Sequence, residues 1–163
     1  WSMEQTSYPV AIKLPGGPMI SDDSRVTKDF GRLNRYEVAQ TGEKIAIIGL
    51  GTFFELAKEA AKLLKEEAGI NATVINPYYI TGLDETLLTK LKQNHDTVIT
   101  LEDGILDGGF GEKIARFYGA SNMKVMNYGL KKEFLDRYDV DAVLKENHLT
   151  AEQIAEDVLS IFL

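Results

Sequence analysis

The 163-residue chain contains no cysteine, which excludes thiol nucleophiles, zinc–thiolate sites and disulfide frameworks. Histidine occurs twice. Neither His95 nor His148 has a second histidine or a carboxylate at metal-ligand spacing, so both read as ordinary surface or boundary residues. No Gly-x-Ser-x-Gly occurs, which removes the nucleophile elbow. No apolar run approaches the length needed to cross a bilayer. Trp1-Ser2-Met3-Glu4-Gln5 lacks the charged and apolar regions of a signal peptide. Positive charge is outweighed, and the formal net charge of −7 repels phosphate backbones and anionic lipid. Neither nucleic acid nor a membrane is therefore an expected partner, and the expected location is cytoplasmic.

What is present is a globular composition. Hydrophobic residues make up 44 %, enough for a chain of this length to bury a core without metals or disulfides. The first residues read like the end of a helix and carry no initiator Met at position 1, so a longer parent chain is expected. Val10-Ala11-Ile12 reads as a short strand closed by Pro15-Gly16-Gly17-Pro18. Residues 15–34, rich in Gly, Pro, Ser, Asp and Arg, read as an interdomain linker. The domain pattern is thus 1–14 as the tail of a preceding domain, 15–34 as linker, and 35–163 as a regular domain.

Within that domain, residues 35–40 alternate weakly, as an edge strand does. Ile45-Ala46-Ile47-Ile48 marks a strand buried on both faces. Thr52 and Glu55 stand at capping-box spacing before a helix that reaches about Ala68, with Phe54, Ala57, Ala61 and Leu64 on one face and Gly69 at its end. A strand at 72–75, a helix capped by Asp84, and a strand at 97–101 follow. The glycine-rich residues 103–111 lead into a helix ending near Tyr118, and a strand covers 124–127. Two short helical stretches come next. Thr150 and Gln153 then open a last helix that carries Ile154, Val158, Ile161 and Phe162 inward. This alternation predicts a mainly parallel sheet with helices on both faces, its sites built from loops at the carboxyl ends of strands.

Gly49-Leu50-Gly51 after a strand invites comparison with a dinucleotide turn. Phe54 occupies the place of the third glycine, and the next strand ends at Asn76 rather than at an acid, so a tight turn is the better account. Glu102 and Asp103 are adjacent on a strand and point to opposite faces, which disfavours an acid–base pair. Magnesium would lack further oxygen ligands there. The plain expectation is a loop acid that caps or pairs locally. Gly108-Gly109-Phe110-Gly111 could cradle an anion at a helix start, or let subunit backbones approach closely with Phe110 as an apolar anchor. The absence of Lys or Arg before Lys113 in that loop favours the second.

The order of segments resembles the deoxyxylulose-phosphate synthase family. Pro9-Val10-Ala11-Ile12-Lys13-Leu14-Pro15-Gly16-Gly17 is similar to the stretch that closes the pyrimidine-binding domain of that family, where Arg-Tyr-Pro-Arg-Gly is usual. The segment from Lys44 through Gly51-Thr52 is similar to the first strand and turn of its third domain. Asn76-Pro77-Tyr78-Tyr79-Ile80 with Leu83-Asp84 is similar to its Lys-Pro-Leu-Asp segment. Thr100-Leu101-Glu102-Asp103 through Gly108-Gly109-Phe110-Gly111 resembles its Thr-x-Glu-Glu…Gly-Gly-x-Gly segment. Gly129-Leu130 with Phe134, and residues 149–154, resemble its tail.

The resemblance implies a three-layer α/β/α domain of the transketolase C-terminal type, with a five-stranded, mainly parallel sheet and one antiparallel edge strand. It implies that the parent is a thiamine-diphosphate- and Mg2+-dependent two-carbon transferase, a homodimer acting on pyruvate and an aldose phosphate. This chain would bind no cofactor, carry no catalytic residue and be inactive alone. The missing N-terminal domains would be its partners, and Gly108, Gly109, Phe110 and Gly111 would lie at the dimer interface. Lys13 stands where the family places a phosphate-binding arginine; it supplies charge without the bidentate fork. Leu14 and Gly16 also depart from the pattern, which leaves the acceptor open. A transketolase, a 2-oxo-acid dehydrogenase β subunit, or a non-catalytic interaction domain are the alternatives.

Overall fold

Ile45, Ala46, Ile47 and Ile48 are completely buried and form the centre of strand β2 (Lys44–Gly49). Because side chains alternate along a strand, they feed two different cores. Ile45 and Ile47 join residues of helices α1 (Phe53–Ala68) and α5 (Ala151–Phe162), while Ala46 and Ile48 join those of α2 (Glu85–Leu91) and α3 (Phe110–Tyr118). Helices therefore cover both faces, and a strand apolar throughout its centre has no solvent side to supply. Each of the three isoleucines contributes about 1.5–3 kcal/mol by leaving water.

The computed structural model describes residues 1–14 and 30–162, with the side chain of Phe162 outside the description. The chain divides into two units, Trp1–Leu33 and Asn34–Leu163. In the first, the N–H groups of Glu4 and Gln5 both donate to the Trp1 carbonyl at 3.1 Å, which closes a turn rather than the expected helix end. Val10-Ala11-Ile12 is not a strand, and Ile12 is exposed. A strand is held by ladder bonds to a neighbour, and three apolar residues alone do not supply one. The linker expected at 15–34 lies mostly outside the described residues; residues 30–34 form turns.

The second unit carries a five-stranded sheet in the order β1-β3-β2-β4-β5. Strand β1 (Glu37–Gln40) pairs antiparallel with β3 (Thr73–Asn76). The pairs β2–β3, β2–β4 and β4–β5 are parallel, with β4 at His95–Ile105 and β5 at Lys124–Leu130. This is the expected fold class, with one antiparallel edge strand on a parallel sheet. Ile47 lies beside Val74 on one side and Ile99 on the other, so the middle of the sheet is aliphatic across three strands.

Several local features differ from the sequence expectation. Thr52 makes no side-chain cap bond and has helical dihedrals. The turn itself takes the first N–H groups: Phe53 donates to Leu50 O at 3.2 Å and Phe54 to Gly51 O at 3.1 Å. Gly69 ends α1 in the left-handed conformation, as expected. Strand β4 continues to Ile105, four residues beyond the predicted end, because its last residue pairs with Leu130. Between β5 and α5 the described residues hold one helix, α4 (Val140–Glu146), not two, and residues 131–139 form bends and irregular chain. Ile161 is 37 % exposed rather than inward, whereas Ile154 and Val158 are buried.

Candidate functional site

The carboxyl ends of the central strands carry three loops: residues 49–52 after β2, 76–84 after β3, and 103–109 around the end of β4. At the first, a Cβ on Gly49 would lie 2.5 Å from Phe53 O and 2.7 Å from Phe54 Cα. Only glycine lets α1 start this close to the strand, which is the tight turn expected in place of a dinucleotide site.

After β3, Asp84 organises the loop. Its Oδ1 accepts from Leu87 N at 3.1 Å and from Arg35 Nη1 at 2.9 Å, and its Oδ2 accepts from Tyr36 N at 3.1 Å. One buried carboxylate thus caps α2 and holds the chain entering β1. Tyr36 donates its hydroxyl to Gly82 O at 3.3 Å, and burial pushes its pKa upward.

At the end of β4, Glu102 is buried and Asp103 exposed, as alternation predicts for adjacent acids. Glu102 Oε2 accepts from Phe110 N at 2.8 Å and Oε1 from Gly111 N at 2.9 Å. These are the first N–H groups of α3, which have no partner inside their own helix. The carboxylate satisfies them and places negative charge at the positive end of the helix dipole. A Cβ on Gly109 would fall 2.5 Å from Glu102 Oε2, so glycine is needed for the approach. The helix start does hold an anion, supplied by the chain itself. With both oxygens engaged by backbone, Glu102 is a poor general base.

Phe110 does not project as an apolar anchor. It is 3 % exposed and lies in the α2–α3 core, its ring centroid 6.3 Å from that of Tyr36. The expected role of this ring as an apolar anchor between subunits is corrected: the ring fills the chain's own core. Its position as the first residue of α3 turns it toward the sheet, a consequence of where Glu102 pins the helix start. Among the residues assigned to an interface, Gly111 is also buried, while Gly108 is exposed and Gly109 half-buried. Lys13 lies exposed in the other unit.

The two histidines differ. His95 is buried rather than at the surface. Its Nδ1 lies 3.1 Å from Leu91 O and its Nε2 2.8 Å from Thr73 Oγ1. A carbonyl only accepts, so Nδ1 carries the proton and Nε2 accepts from the Thr73 hydroxyl, whose oxygen accepts in turn from Gly42 N at 2.9 Å. Burial lowers the His95 pKa, against smaller raising effects of the Leu91 carbonyl, Asp96 and Glu43. His148 is exposed and pairs with Asp157 at 3.0 Å, and the same Asp157 oxygen accepts from Tyr128 Oη at 3.2 Å.

Among the described residues no group of three His, Cys, Asp or Glu side chains could hold a metal ion, and no helix is long and apolar enough to cross a membrane. At the carboxyl edge, Asp84 and Glu102 are committed to backbone and local partners. The loop after β5, which enters the sequence reading only as part of the family's tail, leaves Phe134 fully exposed. Its signal was an apolar pair, Phe134-Leu135, following Lys131-Lys132 in a stretch with no period that could bury it.

Comparison with known proteins agrees with this geometry. The family model "Transketolase, C-terminal domain" matches residues 34–154. The 1-deoxy-D-xylulose-5-phosphate synthase of Clostridium tetani is 34 % identical over 167 residues, covering 99 % of this chain and 26 % of that protein. The enzyme of the same name from Lysinibacillus sphaericus is 31 % identical over 157 residues, covering 93 % of this chain and 24 % of that protein. The chain thus spans about a quarter of the length of the curated relatives it matches. Among solved structures, a split-gene transketolase described as an inactive β4 tetramer superposes with a TM-score of 0.70 at 27 % identity, covering 78 % of this chain and 42 % of that one. A Pichia stipitis transketolase shares the fold, with a TM-score of 0.53 at 21 % identity over 77 % of this chain and 17 % of that one. From its sheet order and from these matches, the chain belongs to the transketolase C-terminal domain family, and along nearly its whole length it is similar to the C-terminal part of 1-deoxy-D-xylulose-5-phosphate synthases.

Proposed function

We propose that this chain is the C-terminal, assembly-forming part of a thiamine-diphosphate- and Mg2+-dependent two-carbon transferase of the deoxyxylulose-phosphate synthase type, a cytoplasmic homodimer, and that it performs no chemistry alone. The observation that carries this reading is the use made of Glu102. In an open α/β sheet, reactive groups gather at the carboxyl ends of the strands. Here the buried acid at that position has both oxygens bound by the backbone of α3, so it fixes shape and is not available to move a proton.

The donor set of the described residues does not fit thiamine diphosphate. A diphosphate–Mg2+ group needs a cluster of oxygen ligands, and no such group of acids is assembled among the described residues. The first N–H groups of α3, the natural seat for a diphosphate, are occupied by Glu102. No step of the reaction is therefore assigned to this chain. We place Lys13 in the parent enzyme as a monodentate contact to an acceptor phosphate, on the strength of its alignment with the family arginine. The likeness to the split-gene transketolase favours a ketose donor as the second reading.

The full-length parent distinguishes these readings. Incubated with thiamine diphosphate, Mg2+, pyruvate and an aldose phosphate, it should release carbon dioxide and form a 1-deoxyketose phosphate. Turnover of a ketose phosphate without decarboxylation would assign it to the transketolases. Activity of the 163-residue chain by itself would refute the assembly role.

A further inference from the structure

Residues 131–140 are exposed without a break, yet they include large apolar side chains. Phe134 has a relative exposure of 108 %, Val140 of 59 %, Tyr138 of 56 % and Leu135 of 38 %. Ile105, paired with Leu130 at the base of this loop, is exposed too. Single exposed apolar residues are ordinary; several within one short loop mark a contact surface.

The loop is tethered. Lys131 N donates to Asn147 Oδ1 at 3.1 Å, Lys132 Nζ lies 3.9 Å from Asp107 Oδ2, and the Asp139 carboxylate accepts from Ala142 N at 2.8 Å at the start of α4. Between these anchors Arg137 holds a φ of 51°. A non-glycine residue in the left-handed region is strained, and such strain collects where a fixed shape is used. A loop already held in place loses less entropy when it binds.

We propose that residues 131–141 form the surface on which a second copy of this chain docks, about a two-fold axis through the loop. This rests on the assembly role given above and names the partner and the place. The order of charges selects a second copy. The loop begins with Lys131 and Lys132 and ends with Asp139 and Asp141, its apolar residues lying between. Two copies laid antiparallel put Lys131 opposite the partner's Asp141 and Phe134 opposite the partner's Tyr138, and each contact occurs twice. The net charge of −7 makes two copies repel in general, so close approach is cheapest where a surface carries both signs. The acids interspersed among the apolar residues, Glu133, Asp136, Asp139 and Asp141, disfavour an anionic bilayer as the occupant.

Sedimentation equilibrium of the intact chain tests this with four proteins: wild type, Phe134→Asp, Lys131→Asp, and Lys131→Asp combined with Asp141→Lys. The wild type should dimerise. Phe134→Asp should raise the dimer dissociation constant about tenfold or more, with an unchanged melting midpoint at dilutions where both chains are monomeric, because the exposed ring touches no core. Lys131→Asp should weaken the dimer, and adding Asp141→Lys should restore it. A wild-type dimer indifferent to Phe134→Asp would overturn this surface and leave the assembly role standing. A wild-type chain that stays monomeric at millimolar concentration would overturn both.

Discussion

His95 shows how one buried side chain ties protonation to stability. Its Nδ1 donates to Leu91 O and its Nε2 lies against the Thr73 hydroxyl, inside the fold where a charged ring is poorly solvated. Burial lowers its pKa below the usual value, so the unfolded chain takes up a proton first as pH falls. The stability contributed by neutral His95 is full above the unfolded pKa of about 6.5 and is lost as pH drops from there toward the folded value. The urea midpoint should therefore be lower at about pH 5.5 than at about pH 7.5, and His95→Gln should flatten that difference. If the substituted chain keeps the whole pH dependence, His95 is not its source. Two phenylalanines make the opposite point about burial. Phe110→Ala should cost about 3–5 kcal/mol by opening a cavity in the α2–α3 core. Phe134→Ala should change stability by no more than about 0.5 kcal/mol. Denaturant unfolding of both variants checks the contrast, and similar losses would contradict the placement of Phe110.

Helix starts show that a cap motif and a cap are different things. Thr52 has the residue type and spacing of a capping box, yet the turn carbonyls of Leu50 and Gly51 take the N–H groups of Phe53 and Phe54. Thr150 does accept from Gln153 N at 3.3 Å, while Gln153 Nε2 donates to Lys145 O at 3.0 Å. Helix α3 has no side-chain cap of its own at Gly109 and is held by Glu102 from a neighbouring strand. Asp84 caps α2 and also holds Tyr36 and Arg35. Thermal unfolding should rank these roles: Asp84→Ala should cost about 2 kcal/mol, since it removes a cap, an ion pair and the partner of the half-buried Tyr36 N–H. Thr52→Ala should cost no more than about 0.5 kcal/mol. Equal losses would mean that the Thr52 hydroxyl caps α1 in solution.

At the scale of the whole molecule, titration calorimetry of the 163-residue chain with thiamine diphosphate and Mg2+ should show no binding at micromolar concentrations. The natural diphosphate seat is filled by Glu102, and among the described residues no three acids or histidines gather into a metal-holding group. Micromolar binding would reveal a cofactor site outside the arrangement described. Much of this architecture is written in local pattern. The apolar run at residues 45–48, the face of α1, the left-handed Gly69 and the alternation of strands and helices follow from periods of 2 and 3.6 residues and from the steric freedom of glycine. They specify a parallel sheet covered on both faces before any coordinates are known. Adjacent acids on a strand likewise tell that one of Glu102 and Asp103 points inward. Which one does, and what it then meets, depends on groups distant in sequence. The tertiary structure alone decides that Glu102 reaches the start of α3, that Phe110 is thereby turned into the core, that His95 is enclosed by Thr73 and Leu91, and that Phe134 is left in water. Periodicity records which face a residue takes on its own element; the partner that face meets is set by packing between elements.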